Sequence, residues 1–490
     1  MPEYHVPRTM STQHPDNVTT PFFADNTELG GDDEIKEAFY AFSHIKCQEQ
    51  LWDCEGKEVD NFVVKKLLTS YEPYFKSHKL GKDVFLTLRV PNPAIEKAEG
   101  KILLETLESI PRNFDTANLF YGEGIAPIFE VALPMTTSAD ELLMLSQFYR
   151  KHVIGKKHES IGGKKISDWI GDFKPENIRV IPLFEDKEGM LNAAREVGRF
   201  ITEEKIEDYQ RVWLARSDPA LNYGSLACVL LEKIALQRLH AVQEKSSVDI
   251  LPIIGCGSAP FRGNLRPDNV DSFFKGYPSV HTVTLQSAFK YDYPIENVEK
   301  AVEKLNNHKT GAPVQVDEQR CLDIIEKQTK EYQIQIASLA PLINEVSAFI
   351  PSRRKRKLHV GLFGYSRNLN GLKLPRAIKF CGALHSIGIP PEILGMNALS
   401  SADLDYVRTI YPSFDQDTRD SMRWLNRDNF KKLAPEIYEK FKGTFFSGKF
   451  EEDARHRKIT SIILDNLASK QGATLQENIV RAGFIRGFLG

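Results

Sequence analysis

The chain has 490 residues, 41% of them hydrophobic and 27% charged, and a formal net charge of -2. This is an ordinary globular composition, long enough for two to four domains or for one large barrel with added helices. Near-neutral charge argues against a dedicated nucleic-acid binder, and no apolar run approaches the ~20 residues that span a bilayer.

The N-terminus, Met1-Pro2-Glu3-Tyr4-His5, lacks the apolar region of a signal peptide, so a cytoplasmic location is expected. Along the chain, short apolar and β-branched runs alternate with long amphipathic stretches. The runs Arg8–Gln13, Val84–Val90, Ile125–Val131, Ile178–Phe184, Arg211–Ala215, Asp249–Ile254, Val280–Leu285 and Leu358–Phe363 read as strands. Such near-continuous apolar runs suit strands buried on both faces of a parallel sheet.

Between them, Ser138–His152, Leu221–Val242 and Asn297–Leu305 read as helices, and 33–78 reads as a helical insertion. Eight strands separated by helices predict an α/β fold, a (β/α)8 barrel of the TIM type over about residues 6–390. Residues 391–490 read as a C-terminal helical region that packs on the barrel or mediates oligomerisation, so that 1–490 forms one catalytic unit. The cysteines Cys47, Cys54, Cys228, Cys256, Cys321 and Cys381 are dispersed with no CxxC pair, which predicts reduced, buried thiols.

In a barrel of this kind the active site gathers just beyond the C-terminal ends of the strands. The residues found there are His14, Arg89, Glu130, Glu185, Asp218, Arg262, Gln286 and Arg367. Any one of them could simply mark a strand end, but carboxylates, arginines and one histidine make chemical sense as a set. Glu185 and Asp218 follow successive strands and could share magnesium or manganese, hard cations that keep water and substrate oxygens as their other ligands. Two acids alone equally suit a structural ion pair.

The run Gly255-Cys256-Gly257-Ser258-Ala259-Pro260-Phe261-Arg262-Gly263-Asn264 is either a plain barrel turn or a glycine-rich loop that admits an anion close to its N–H groups, with Arg262 as a charged donor. Arg367 and Arg376 add guanidinium groups suited to phosphate and carboxylate. His14 can shuttle protons near neutral pH. The run Ser352–Lys357, "SRRKRK", reads as a solvated charged loop, with RNA contact as the minority reading.

These motifs, in this order, resemble phosphoenolpyruvate carboxylases, and "PRTMSTQHPDN" and "GCGSAPFRGN" are similar to the short, archaeal-type subfamily. The resemblance runs across nearly the whole chain. It implies conversion of phosphoenolpyruvate and bicarbonate to oxaloacetate and phosphate, through carboxyphosphate and a metal-stabilised enolate, with an anaplerotic role.

The "TAHPT" histidine of the longer bacterial and plant enzymes falls on His14. Their two metal-ligating acids fall on Glu185 and Asp218, and the second arginine of their glycine loop falls on Arg262, which implies a catalytic role for Arg262 beside His14. The resemblance implies substrate-binding roles for Arg89, Arg367, Arg376, Gly255, Gly257 and Gln286, a Mg2+ or Mn2+ cofactor with no organic cofactor, and a homotetramer. It implies no nucleic-acid or membrane partner.

Four positions depart from the longer enzymes: Ile254, Cys256, Leu221 and Phe488 stand where they carry histidine, arginine, lysine and asparagine. The last lies in their aspartate-inhibition site, so feedback inhibition through the same residues is not expected here. Another enolate-forming barrel enzyme, such as an aldolase-like lyase, is the alternative left open by the metal site alone.

Overall fold

A computed structural model describes residues 5–54, 60–355, 367–369, 372–442 and 450–490. Eight parallel strands close into a barrel: β1 Thr9–Ser11, β2 Glu49–Asp53, β3 Phe85–Arg89, β4 Glu130–Leu133, β5 Arg179–Phe184, β6 Tyr209–Leu214, β7 Asp249–Ile254 and β8 Thr282–Leu285. Each strand pairs with the next, and closure comes from β1 against β8, with Thr9 level with Val283 and Ser11 with Leu285. Helices connect the strands on the outside, as the crossover between parallel neighbours requires. Among the described residues, no helix is long and apolar enough to cross a membrane.

The barrel interior is filled. Met10, Leu51, Ala132, Ile181, Leu183, Trp213, Ala215 and Ile253 form one buried cluster. Side chains two residues apart on a strand share a face, so the residues two positions before Leu51, Ala132 and Trp213 form the next layer toward the N-terminal rim. They are Glu49, Glu130 and Arg211. The Arg211 guanidinium bridges both carboxylates at 2.7 Å, fully out of water. Burial pushes the Glu130 carboxyl upward against the pull of Arg211.

This layer corrects two sequence expectations. Residues 33–78 are not wholly helical, because β2 lies between the helix Asp32–Ser43 and the helices Val63–Ser70 and Glu72–Ser77. Its sequence, "EQLWD", begins and ends in acids that point into the barrel, so it does not read as an apolar run. Glu130 opens β4 rather than ending it, which puts it at the rim opposite the expected site. The run Leu358–Phe363 lies outside the described residues, and the barrel closes without it.

The long apolar stretch Leu221–Val242 belongs to two helices, Ser217–Tyr223 and Ser225–Ser246, broken at Gly224 with φ +98°. A Cβ at Gly224 would stand 3.0 Å from Gln328 Nε2 on the long helix Glu318–Ser347, which packs against this corner. The largest buried cluster runs from Val212 and Val283 on the strands to Ile463 and Ile479 in the C-terminal helices. All six cysteines are buried.

The "SRRKRK" segment is a further correction. Arg353 and Arg354 are buried rather than solvated. Arg353 donates to the carbonyls of Val18 (2.9 Å) and Asn17 (3.3 Å). Arg354 reaches Glu34 and Glu37, each at 2.7 Å. Arg356 and Lys357 lie outside the described residues.

Candidate active site

The C-terminal rim begins where β1 ends. Thr12 N–H donates to Leu285 O on β8, and Ser287 N–H donates to His14 O, which carries the chain of β1 onto the start of the helix Ser287–Tyr291. His14 is half-buried, and its Nδ1 lies 2.9 Å from Thr12 Oγ1.

Two residues on, the Asp16 carboxylate joins three segments. It accepts from Ala288 N at 2.7 Å and from Arg262 Nη1 at 3.2 Å, while Asp16 O accepts from Leu489 N at 2.8 Å. Burial pushes the Asp16 carboxyl up, and Arg262 pulls it back down. Asp292 accepts from Val18 N and Thr19 N, both at 2.7 Å, so the segment after His14 is held from the end of the helix Ser287–Tyr291 as well as by Arg353. Beneath it, the buried Lys290 ammonium donates to Ser11 Oγ, Thr12 O and Glu37 Oε1 at 2.9–3.0 Å.

The glycine-rich loop after β7 folds on itself. Gly257 N–H donates to Arg262 O at 2.7 Å, and Asn264 N–H donates to Ala259 O at 3.1 Å. Gly263 has φ +121°, and a Cβ there would lie 3.2 Å from Cys256 Cα, so glycine is required by both backbone angle and space. Arg262, 1% exposed, stands at the centre. It donates to Ser217 Oγ at 3.0 Å, to Gly490 O at 2.9 Å, to Asp16 and to Gln286 Oε1.

A Cβ on Gly257 would come within 2.9 Å of Gln286 Oε1 and 3.1 Å of Arg262 Nη1. The N–H groups of Gly255 and Gly257 thus serve the fold, the first donating to Leu214 O, rather than forming an open anion cradle.

Glu185 follows β5 directly. It is nearly buried, and its Oε2 accepts from Met135 N at 2.8 Å. Asp218 sits in the first turn of the helix after β6 and is partly exposed. Ala215 N–H donates to Phe184 O at 3.0 Å, which sets the tops of these neighbouring strands level and puts both acids on one rim.

No group of three or more His, Cys, Asp or Glu suited to a metal occurs among the described residues. Two carboxylates without a third strong ligand fit a hard divalent cation that completes its shell with water and substrate oxygens, and do not fit a closed zinc site.

The arginines divide. Arg89 is buried in a bidentate pair with Asp53, at 3.0 and 2.7 Å, and Asp53 N–H donates to Gln13 Oε1. Arg376 is exposed at the head of the helix Ala377–Ser386, two residues before Ile378, whose carbonyl lies against Gly490. Arg367 opens a short hairpin that pairs Arg367–Leu369 with Leu372–Leu374.

His14, Arg262, Gln286 and Gly257 are therefore linked directly or through Asp16, and the acids share their rim. Sequence reading missed Asp16, Ser217 and Asp53 as members of this set. Asp16 lies inside a motif already singled out, "PRTMSTQHPDN", and Ser217 stands next to Asp218.

A family model described as phosphoenolpyruvate carboxylase matches residues 6–490. The chain belongs to the phosphoenolpyruvate carboxylase family. It is 51% identical over 486 residues to the phosphoenolpyruvate carboxylase of Methanothermobacter thermautotrophicus, covering 99% of this chain and 100% of that one. The enzyme of that name from Methanospirillum hungatei is 52% identical, again over 99% and 100% of the two chains. That from Pyrococcus furiosus is 52% identical over 89% and 93%.

A solved HpcH/HpaI aldolase/citrate lyase family protein from Burkholderia cenocepacia overlaps 57% of this chain and 88% of its own, at 14% identity and a TM-score of 0.32. The protein is accordingly a phosphoenolpyruvate carboxylase, a carboxy-lyase that makes oxaloacetate and phosphate from phosphoenolpyruvate and bicarbonate, and the family carries a general requirement for a divalent metal.

The four departures from the longer carboxylases are all core positions. Leu221, Ile254 and Cys256 are buried, and Phe488 packs with Ala259, Ala288 and Trp424. None of them presents a charge to an anion.

Proposed function

We propose that this carboxylase works at the β1, β5, β6 and β7 ends of the barrel, with His14 as the proton-transfer group and Glu185 and Asp218 as the metal ligands. The observation that carries this reading is the Asp16 carboxylate, which ties the His14 segment to Arg262 and to the residues following Gln286. Glu185 and Asp218 would hold Mg2+ or Mn2+, which would supply Lewis-acid stabilisation to negative oxygen.

Bicarbonate oxygen attacks the phosphorus of phosphoenolpyruvate, the bond from phosphorus to the enol oxygen breaks, and carboxyphosphate and the enolate of pyruvate result. His14, oriented by Thr12, accepts the carboxyphosphate proton as the molecule breaks into carbon dioxide and phosphate. The enolate carbon then attacks carbon dioxide to give oxaloacetate. Arg367 and Arg376 offset the charge of the two anions. Arg262 acts as a positioning residue, because its guanidinium is already engaged with four partners, and Arg89 acts likewise through Asp53. The reading also places the enzyme in the cytoplasm as a homotetramer.

The test is oxaloacetate formation coupled to malate dehydrogenase, with and without bicarbonate, in the wild type, His14→Asn and Asp218→Asn. His14→Asn should abolish oxaloacetate while leaving bicarbonate-dependent phosphate release measurable. Asp218→Asn should shift the metal titration to much higher concentration. Full oxaloacetate production by the first variant, or an unchanged titration in the second, overturns the assignment.

A further inference from the structure

The opposite rim of the barrel is open. At the N-terminal mouth of the barrel lies a cavity of about 1660 Å³, lined by residues at or just before the first positions of β1, β2 and β4–β8. It is separated from His14 by the length of a strand, roughly 20 Å for six residues, so nothing bound there touches the carboxylation chemistry. This face of a TIM barrel ordinarily serves stability, which makes its polar composition informative.

On the β5–β6 side Arg179 pairs with Asp208 at 2.9 Å and Arg150 pairs with Glu204, and Lys205 and Glu207 also line the cavity. The β1–β8 side differs. Arg8, half-buried, donates to Thr310 Oγ1, and no carboxylate of the described residues lies within ion-pair distance of it. His281 stands close by, 8% exposed. Ser279, equally buried and part of the same lining, has a hydroxyl with no partner among the described residues.

The field there is positive. Burial first, then Arg8, Arg211, His5 and His308, push the His281 ring down to about 2, so it stays neutral beside the Arg8 guanidinium. Asp249, which also lines the cavity, begins β7 three residues before Pro252, the residue whose carbonyl accepts His281 N–H, and so stands about 10 Å away along the strand.

We propose that the N-terminal mouth of the barrel is a second oxyanion site, built on Arg8 and Ser279, that takes the phosphate group of a small phosphorylated metabolite. A guanidinium with no carboxylate of the described residues beside it and a buried hydroxyl with no partner among them are the donors such a group needs, and the cavity has room for the rest of the molecule.

Equilibrium dialysis of the intact protein against radiolabelled inorganic phosphate tests this. The wild type should show one more phosphate per chain than Arg8→Met, whose remaining affinity for the lost site should be at least ~10-fold weaker, as removal of a charge-assisted hydrogen bond implies. Thr310→Glu, which gives Arg8 a carboxylate of its own, should do the same and covers a failure of Arg8→Met to fold. Both variants should keep wild-type kcat/KM for phosphoenolpyruvate. Equal phosphate stoichiometry and affinity in the wild type and either folded variant overturns the site. So does a wild type that binds no phosphate beyond its catalytic site, the outcome expected if another copy of the chain covers this face.

Discussion

Replacing Gly257 by alanine tests most directly whether the loop after β7 works by close packing. The added methyl would stand 2.9 Å from Gln286 Oε1, 3.1 Å from Arg262 Nη1 and 3.2 Å from Arg262 Cζ. Neither neighbour can yield easily: both are buried, and they are bonded to each other and, through Arg262, to Ser217, Asp16 and Gly490. The loop backbone is pinned from both sides, Gly257 N–H to Arg262 O and Leu265 N–H to Gly257 O. Forcing a methyl into such a site costs about 1–3 kcal/mol. If that cost falls on the transition state alone, kcat/KM drops roughly 5- to 150-fold. Gly255→Ala is the control, because its Cβ would meet Trp213 Nε1 at 3.4 Å, an ordinary contact. Both variants would be assayed for bicarbonate-dependent oxaloacetate formation and for thermal midpoint. A Gly257→Ala enzyme with the kinetics and midpoint of Gly255→Ala would refute the packing argument.

Arg354→Met removes the partner of two buried acids and should lower unfolding free energy by about 3–5 kcal/mol in urea melts near pH 7. Burial opposes ionisation of Glu37, but Arg354 and Lys290 outweigh it and hold its carboxyl at about 2, below its usual 4.5. A depressed acid stabilises the fold above its unfolded pKa and loses that effect as pH falls toward the folded one. The gap between Arg354→Met and wild type should therefore narrow below about pH 4.5, and a gap constant with pH would contradict the assignment. Gly490→Ala places a Cβ 2.1 Å from Ile378 O and 2.6 Å from Gly382 N, both backbone, so kcat/KM should fall at least ~10-fold through the displaced Arg262 contact; wild-type kinetics would show the contact to be idle. Thr12→Val deletes the partner of His14 Nδ1 while keeping shape. A loss of roughly 2- to 10-fold in kcat, with a displaced pH–rate limb, is expected, and a superimposable profile would remove Thr12 from the site.

What the sequence made legible followed from how each strand meets its surroundings. β7 reads directly, because "DILPII" is apolar wherever it is packed, and the segments around β1, β5, β6 and β8 read nearly as well. The His14 and glycine-loop motifs could be found because they are contiguous. Asp53 was lost with its strand, and Asp16 and Ser217 stayed hidden in the shadow of His14 and Asp218, since a hydrogen bond from Arg262 across the barrel leaves no local trace.

The errors share one physical cause. β2 looks solvent-facing because its acids are visible and their partners are not: Glu49 is neutralised by Arg211, 162 positions away, and Asp53 by Arg89, 36 away. "SRRKRK" misleads in the same way, since Arg354 meets Glu37 across 317 positions. A charged residue in a sequence signals water only while its partner is unknown, and a barrel, which brings distant strand ends together, is where that inference fails first. Arg8 is the converse case. Among the described residues no acid pairs with it, and its guanidinium donates to Thr310 Oγ1 at the barrel's N-terminal mouth. Whether phosphate completes it is a question about that rim, independent of the carboxylation site above it.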